Sequence, residues 1–365
     1  MVLRVVLGIN FIFIICMAFF YESFAIVKKE VTDLKNFQNY LENLSFEDHI
    51  KLKIFGFLEI GEEKLAKTEF EFYKVLKTTY APIDKVLENV VYIPKGKFAI
   101  VVSKRKQQIK VYTNENSVIK QIVQNKCITG KRPGDKLQEG DQRTPNGIYF
   151  PLTFIDKSRL AEIYGEGAYP LNYPNIIDKK LLKRNGHGIW LHATNDNNRP
   201  PFSSNGCVVV TNDVFKVYKD FVNFKETPII IVEDFSYTTL ENQEKTKNSI
   251  IEFLYNWKEA WEKATKNGNI DRYLSFYSKN MISQYGGFEN FKRHKINVSK
   301  YKKWIRIYIK DINISKDGRI LDFGNLYTVS FFMEYNSNNY NWKGRKILYL
   351  INENGKWKIL AEESL

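Results

Sequence analysis

Residues 188–194 read Gly-Ile-Trp-Leu-His-Ala-Thr, and residues 203–210 read Ser-Ser-Asn-Gly-Cys-Val-Val-Val. Both are short runs of apolar and β-branched residues, and the polar, proline-containing segment between them reads as a loop. The pattern is therefore strand, loop, strand, with Cys207 fifteen residues after His192. A thiol becomes a thiolate near neutral pH when a base or cation stands beside it, and an imidazole on a neighbouring strand is such a base. That spacing fits a cysteine-nucleophile enzyme; it also fits a buried structural cysteine that follows a core histidine.

Strand alternation separates the two faces of the first stretch, with Trp190 and His192 on one and Ile189 and Leu191 on the other. With the apolar pair in a core, His192 faces a cleft. Of the four histidines, His49 and His294 lie outside this region, and His187 shares its parity with Ile189, which turns it away. Gly206 permits a tight turn that could aim backbone N–H groups at a carbonyl oxygen under attack, although any turn could use a glycine there.

Further strands are expected at Phe98–Ser103, Gln108–Tyr112, Val118–Gln124, Gly147–Phe150 and Pro228–Val232, with one helix over Asp213–Asn223 capped by Thr211 or Asn212. This predicts a mainly β catalytic domain over residues 95–235. Before it, residues 26–94 place Phe70, Tyr73, Leu76 and Tyr80 at helical spacing, with Pro82 and Pro94 as punctuation, so a helical N-terminal region is expected. An interaction role for it, including a homodimer, stays open. After it, the polar run Glu241–Lys247 reads as a linker. Ile250, Phe253, Leu254, Trp257 and Trp261 then form a helical stripe, read as core rather than as a ligand box. Two shorter helices, Ile270–Tyr277 and Phe288–Lys295, precede alternating strands at Trp304–Ile314, Tyr327–Tyr335, Arg345–Asn352 and Trp357–Ala361. Helices followed by a curved antiparallel sheet make an α+β domain over residues 241–365, able to enclose a pocket.

At the start of the chain, Arg4 precedes the uncharged run Val5–Phe20, and Ser23-Phe-Ala25 offers small residues for a signal peptidase. The run is short for a spanning helix, so a cleaved export signal over residues 1–25 is expected, with an uncleaved anchor as the alternative. Cleavage would leave Cys127 and Cys207. An oxidising compartment permits a bridge between them, but a bridge would disable Cys207, and Cys127 reads as a small buried residue. The net charge is +14, distributed as −2 over residues 26–94 and +8 over each of residues 95–240 and 241–365. Such a field favours polyanionic or carboxylate-rich partners. For an exported protein these are the cell wall, head groups or acidic glycans; no nucleic-acid motif is present. Lys292-Arg-His-Lys295 with Lys300, Lys302 and Lys303 reads as a solvated basic face or an acidic-ligand site. No dense His/Cys/Asp/Glu cluster with ligand spacing implies a metal.

Taken with Thr129-Gly-Lys131 and Gly140-Asp-Gln-Arg-Thr-Pro-Asn-Gly-Ile-Tyr149, the two opening stretches resemble the L,D-transpeptidase (YkuD) catalytic-domain family, whose fold is a β-sandwich. The C-terminal part resembles the NTF2-like fold. The combination resembles periplasmic L,D-carboxypeptidases that set cell shape in helical Gram-negative bacteria. The resemblance implies that Cys207 is the nucleophile, that His192 activates it and later protonates the leaving amine, and that the Ala193 carbonyl orients the imidazole. It implies no metal and no cofactor. The substrate would be a peptidoglycan tetrapeptide stem, cut between meso-diaminopimelate and D-alanine through a thioester. Trp190, Asn205, Gly206 and Arg184 are read as substrate-side residues. Two positions depart from the family pattern: Asn205 stands where a second histidine is usual, and Val209 where Arg or Asn often follows the cysteine. Water completes the reaction in a carboxypeptidase and a second stem's amine in a transpeptidase. A bifunctional protein that also binds an acidic glycan in its C-terminal pocket, or a binding module with a vestigial catalytic domain, are further readings.

Overall fold

The computed structural model describes residues 85–365 apart from 116, 117 and 323. The export signal, most of the N-terminal helical region and any dimer contact it makes lie outside the described residues.

After a short strand at Lys85–Leu87, the strands in chain order are β1 (Val90–Tyr92), β2 (Phe98–Ser103), β3 (Gln108–Glu115), β4 (Val118–Lys126), β5 (Gly147–Tyr149), β6 (Ile155–Asp156), β7 (Gly167–Pro170), β8 (Trp190–Thr194) and β9 (Val208–Thr211). A helix α1 (Asn212–Tyr218) and strand β10 (Ile229–Val232) follow. Two sheets result, ordered β4-β3-β2-β10-β5 and β9-β8-β7-β6. Between them Ile100, Val102, Ile109 and Val111 from one sheet meet Leu191, Ala193, Val208 and Val210 from the other, with Phe215 and Tyr218 of α1 closing the core. This is the expected β-sandwich.

Why β2 and β10 are apolar without alternation becomes clear on their other face. Val101, Ile148 and Ile230 pack there against Leu326, Ile347, Tyr349 and Leu360 of the C-terminal sheet. A strand covered on both faces carries a continuous apolar run, and the two domains share one core. Leu87–Leu365 forms a single compact unit.

The C-terminal domain consists of α2 (Leu240–Glu262), α3 (Ile270–Leu274), β11 (Tyr277–Ser283), β12 (Gly286–Gly287), α4 (Phe288–Ser299), β13 (Ile305–Leu321), β14 (Gly324–Ser337), β15 (Asn341–Glu353) and β16 (Lys356–Ser364). Its sheet is ordered β12-β11-β16-β15-β14-β13-β1. Trp257 is fully buried in its interior, as the apolar stripe requires. Two expectations change. Glu241–Lys247 is no linker but the start of the 23-residue α2. Thr239 caps it by accepting from the Asn242 N–H at 3.2 Å, and polar residues suit turns that face solvent. Residues 90–92 are strand rather than helix, because Val-Val-Tyr pairs with Ile314 and Ser315 at the sheet edge.

Candidate active site

Strand β8 places its side chains alternately. Leu191 and Ala193 enter the sandwich core, whereas Trp190 and His192 emerge on the opposite face. There Tyr164 packs against both rings, 5.1 Å from Trp190 and edge-on to His192 at 4.9 Å. His192 is 4% exposed, and its Nδ1 lies 2.6 Å from the Ala193 carbonyl oxygen. A carbonyl only accepts, so Nδ1 carries the proton and Nε2 keeps its lone pair. Burial lowers the His192 pKa to about 4; the Ala193 carbonyl opposes this and the Arg199 charge adds to it. At neutral pH the imidazole is a neutral base with a fixed tautomer.

Cys207 enters from a turn built by its neighbours. The Ser204 hydroxyl donates to the Cys207 carbonyl at 2.6 Å and accepts from the Gly206 N–H at 3.1 Å. Ser204 N–H donates to the Thr129 carbonyl, and its own carbonyl accepts from Lys131 N–H, so Thr129-Gly-Lys131 is the floor of this turn. Gly206 has φ +132°, and a Cβ there would stand 3.0 Å from the Arg143 carbonyl oxygen and 3.1 Å from Ile189 Cδ1. Its N–H is taken by Ser204 and is not spare for an oxyanion. The parallel register Val208↔Leu191 and Val209↔His192 sets Cys207 beside Trp190. His192 is then one pair further along the same face.

Cys207 is partly buried, with Sγ 3.5 Å from the Gly188 carbonyl oxygen. Burial pushes its thiol pKa up; a hydrogen bond from the Trp190 N–H and the charges of Arg199 and Lys136 work against that shift. The resting pair is thus a thiol and a neutral imidazole. Cys127 is a second free thiol, buried in the sandwich core, and burial drives its pKa up as well.

The other residues singled out from sequence fall as follows. Trp190 borders Cys207. Exposed Asn205 accepts from Lys131 Nζ at 3.0 Å through its side-chain oxygen. Arg184 turns away into a network: its Nη1 is 2.8 Å from Asp135 Oδ2 and 3.8 Å from Asp178 Oδ1, so it is committed to carboxylates of the protein. His187 is exposed, 3.3 Å from Glu139. Tyr164, Arg199, Ser204 and Lys136 escaped the sequence reading. Arg199 had a signal, being the sole cation of the loop between β8 and β9. Tyr164 had none, since its contacts are made across the fold.

Residues 97–231 match the L,D-transpeptidase catalytic domain (YkuD), and residues 249–363 match the Cds6 C-terminal NTF2-like domain. A single-substitution variant of the helical cell shape determining protein Pgp2 from Campylobacter jejuni is 30% identical. The match covers 77% of this chain and 94% of that one, with TM-score 0.62.

The chain belongs to the L,D-transpeptidase (YkuD) family.

Unsubstituted Pgp2 is 28% identical over 80% of this chain and 98% of its own, with TM-score 0.62. Bd1075 from Bdellovibrio bacteriovorus is 28% identical over 77% and 98%, also with TM-score 0.62. No curated protein matches the sequence. Within this L,D-transpeptidase domain the two departures have structural counterparts. Val209 is fully buried and its N–H and C=O pair with Ile128, so it offers the cleft no polar group, and Asn205 is held by Lys131.

Proposed function

We propose that the protein is an exported, cysteine-dependent murein L,D-carboxypeptidase that trims tetrapeptide stems to tripeptides and thereby affects cell shape. The observation that carries the chemistry is the imidazole of His192, oriented by the Ala193 carbonyl with Nε2 unprotonated on the face shared with Cys207. Cys207 Sγ attacks the carbonyl carbon of the L-centre of meso-diaminopimelate while Nε2 takes the thiol proton. Collapse of the tetrahedral intermediate breaks the C–N bond; the same proton passes to the nitrogen of the departing D-alanine. A water then gives a proton to Nε2 and attacks the thioester, and the proton returns to sulfur as the tripeptide leaves.

Hydrolysis as the second half is supported by the pairing of this catalytic domain with an NTF2-like domain, the pairing found in shape-determining Pgp2. Incubating purified tetrapeptide muropeptide with the wild type should yield tripeptide, and Cys207→Ala should yield none. Folded wild type without product overturns the reading, and cross-linked dimers in excess of tripeptide would assign an L,D-transpeptidase instead. Export to the periplasm rests on Arg4, Val5–Phe20 and Ala25, and the mass of the mature protein tests it.

A second, bifunctional reading draws on a cavity of about 410 Å³ in the C-terminal domain, lined by Trp261, Tyr335, His294, Lys295, Lys302 and Lys346. Glu362 of the same lining pairs with Lys346 at 3.2 Å and Lys295 at 3.9 Å, so the cation that the aromatic walls offer an acidic glycan is Lys302, bound to the neutral Ser337 and Asn339. Lys302→Ala should weaken retention on such a glycan and leave trimming of soluble muropeptide intact; retention equal to wild type would remove this reading.

A further inference from the structure

Strand β13 runs from the C-terminal domain to the catalytic domain. At Gly318 it passes so close to β10 that a Cβ would sit 2.6 Å from Val232 Cγ1. The next residue, Arg319, is buried. Its Nε and Nη2 hold the two carboxylate oxygens of Asp317 at 2.9 and 2.7 Å, and its Nη1 reaches Asp178 Oδ1 of the catalytic domain at 2.8 Å. Asp178 is fully buried and also faces Arg184, which is paired with Asp135. Asp135 Oδ1 accepts from the backbone N–H groups of both Lys136 and Asn146, at 2.8 and 2.7 Å. One carboxylate therefore pins both ends of the 135–146 loop.

That loop touches the site twice. Its Arg143 carbonyl is the group that crowds Gly206. Its Lys136, buried and bound to Asp141 Oδ1 at 2.7 Å, supplies one of the two positive charges felt by Cys207, the other being Arg199. The loop leads into Thr144-Pro-Asn-Gly147, where Gly147 has φ +142° and a Cβ would lie 2.8 Å from Arg319 Nη2. The guanidinium of the C-terminal domain thus lies directly on the motif that helped to place the catalytic domain in its family.

We infer that Arg319 is a positioning residue for the nucleophile, holding the 135–146 loop against the Gly206–Cys207 turn through Asp178, Arg184 and Asp135. Buried ion networks are often no more stabilising than apolar packing of the same volume. What this one contributes is a fixed geometry for Lys136 and Arg143 beside the thiol, imposed from another domain. The inference rests on Cys207 being the nucleophile.

The test uses the full chain. Alkylation of Cys207 by iodoacetamide is followed against pH by mass mapping, with Cys127 as the buried internal control, alongside kcat and KM on tetrapeptide muropeptide. The groups acting on the thiol are the Trp190 N–H and the charges of Arg199 and Lys136, Lys136 being paired with Asp141; the Gly188 carbonyl oxygen lies 3.5 Å from Sγ, and His192 lies further along the same face. Displacing Lys136 removes positive charge from beside the thiolate. Folded Arg319→Met should therefore shift the alkylation profile to higher pH and lower kcat about 10-fold or more, with a much smaller change in KM. Arg319→Lys should recover part of both. Lys136→Met should shift the profile the same way with the domain contact untouched. A folded Arg319→Met with the wild-type profile and kcat overturns the inference. Should that variant not fold, Arg184→Gln cuts the same chain inside the catalytic domain and carries the same two outcomes. Tripeptide formation by Cys207→Ala would instead overturn the nucleophile assignment, which the alkylation profile does not depend on.

Discussion

His192 is held by a single short hydrogen bond and by burial, and the two act in opposite directions on its proton affinity. Burial dominates, so the imidazole stays neutral to about pH 4. Two consequences follow. For catalysis, the acid limb of kcat/KM should fall near pH 4 rather than near 6.5, because only the protonated ring is incompetent as a base; a pH–rate profile with an inflection near 6.5 would contradict the buried neutral base. For stability, the unfolded chain binds a proton below about 6.5 that the folded chain refuses until about 4, so stability should decline as the pH drops through that window. Strand parity alone selected His192 over His187. Its proton affinity was not legible, because desolvation sums over every group packed around the ring, Tyr164 among them, and the charge of Arg199, distant in its own loop, adds to it.

At the scale of elements, the turn that carries Cys207 is a local device with contacts from the 135–146 loop. Gly206 combines a positive φ with contacts to Arg143 and Ile189 that a methyl group would violate. Gly206→Ala should cost about 1–3 kcal/mol and abolish measurable tripeptide formation, read by thermal melting and turnover together; an unchanged melt and rate would show that the turn tolerates a side chain. The strands around this turn were readable from alternation and β-branching. The start of α2 was not, since a solvent-facing first turn has the composition of a linker and differs only through its Thr239 cap. Arg184 was placed at the cleft from charge alone, whereas its guanidinium is ion-paired with Asp135 and lies 3.8 Å from Asp178. Residues distant in sequence made that choice.

The whole molecule is organised by the five-stranded sheet, which is core to the sandwich on one face and core to the domain junction on the other. Such sharing predicts cooperative unfolding of residues 87–365. Tryptophan fluorescence, dominated by the five tryptophans of the C-terminal domain, and exposure of Cys127 in the catalytic domain should report one coincident transition. Ile347→Ala, at the junction, should lower both by about 2–5 kcal/mol; two separate transitions would refute the shared core. From sequence alone came the strand parity, the glycine at the turn and the succession of β-rich and α+β domains, because these are written in neighbouring residues at periods of two or 3.6; the pairing of His192 with Cys207 rested on a fifteen-residue spacing and on the family resemblance. Only the tertiary structure decided that thiol and imidazole rest neutral, that Arg184 serves Asp135, and that Arg319 reaches the Thr-Pro-Asn-Gly loop. Those outcomes depend on burial and on contacts between segments far apart in the chain, which no local period encodes.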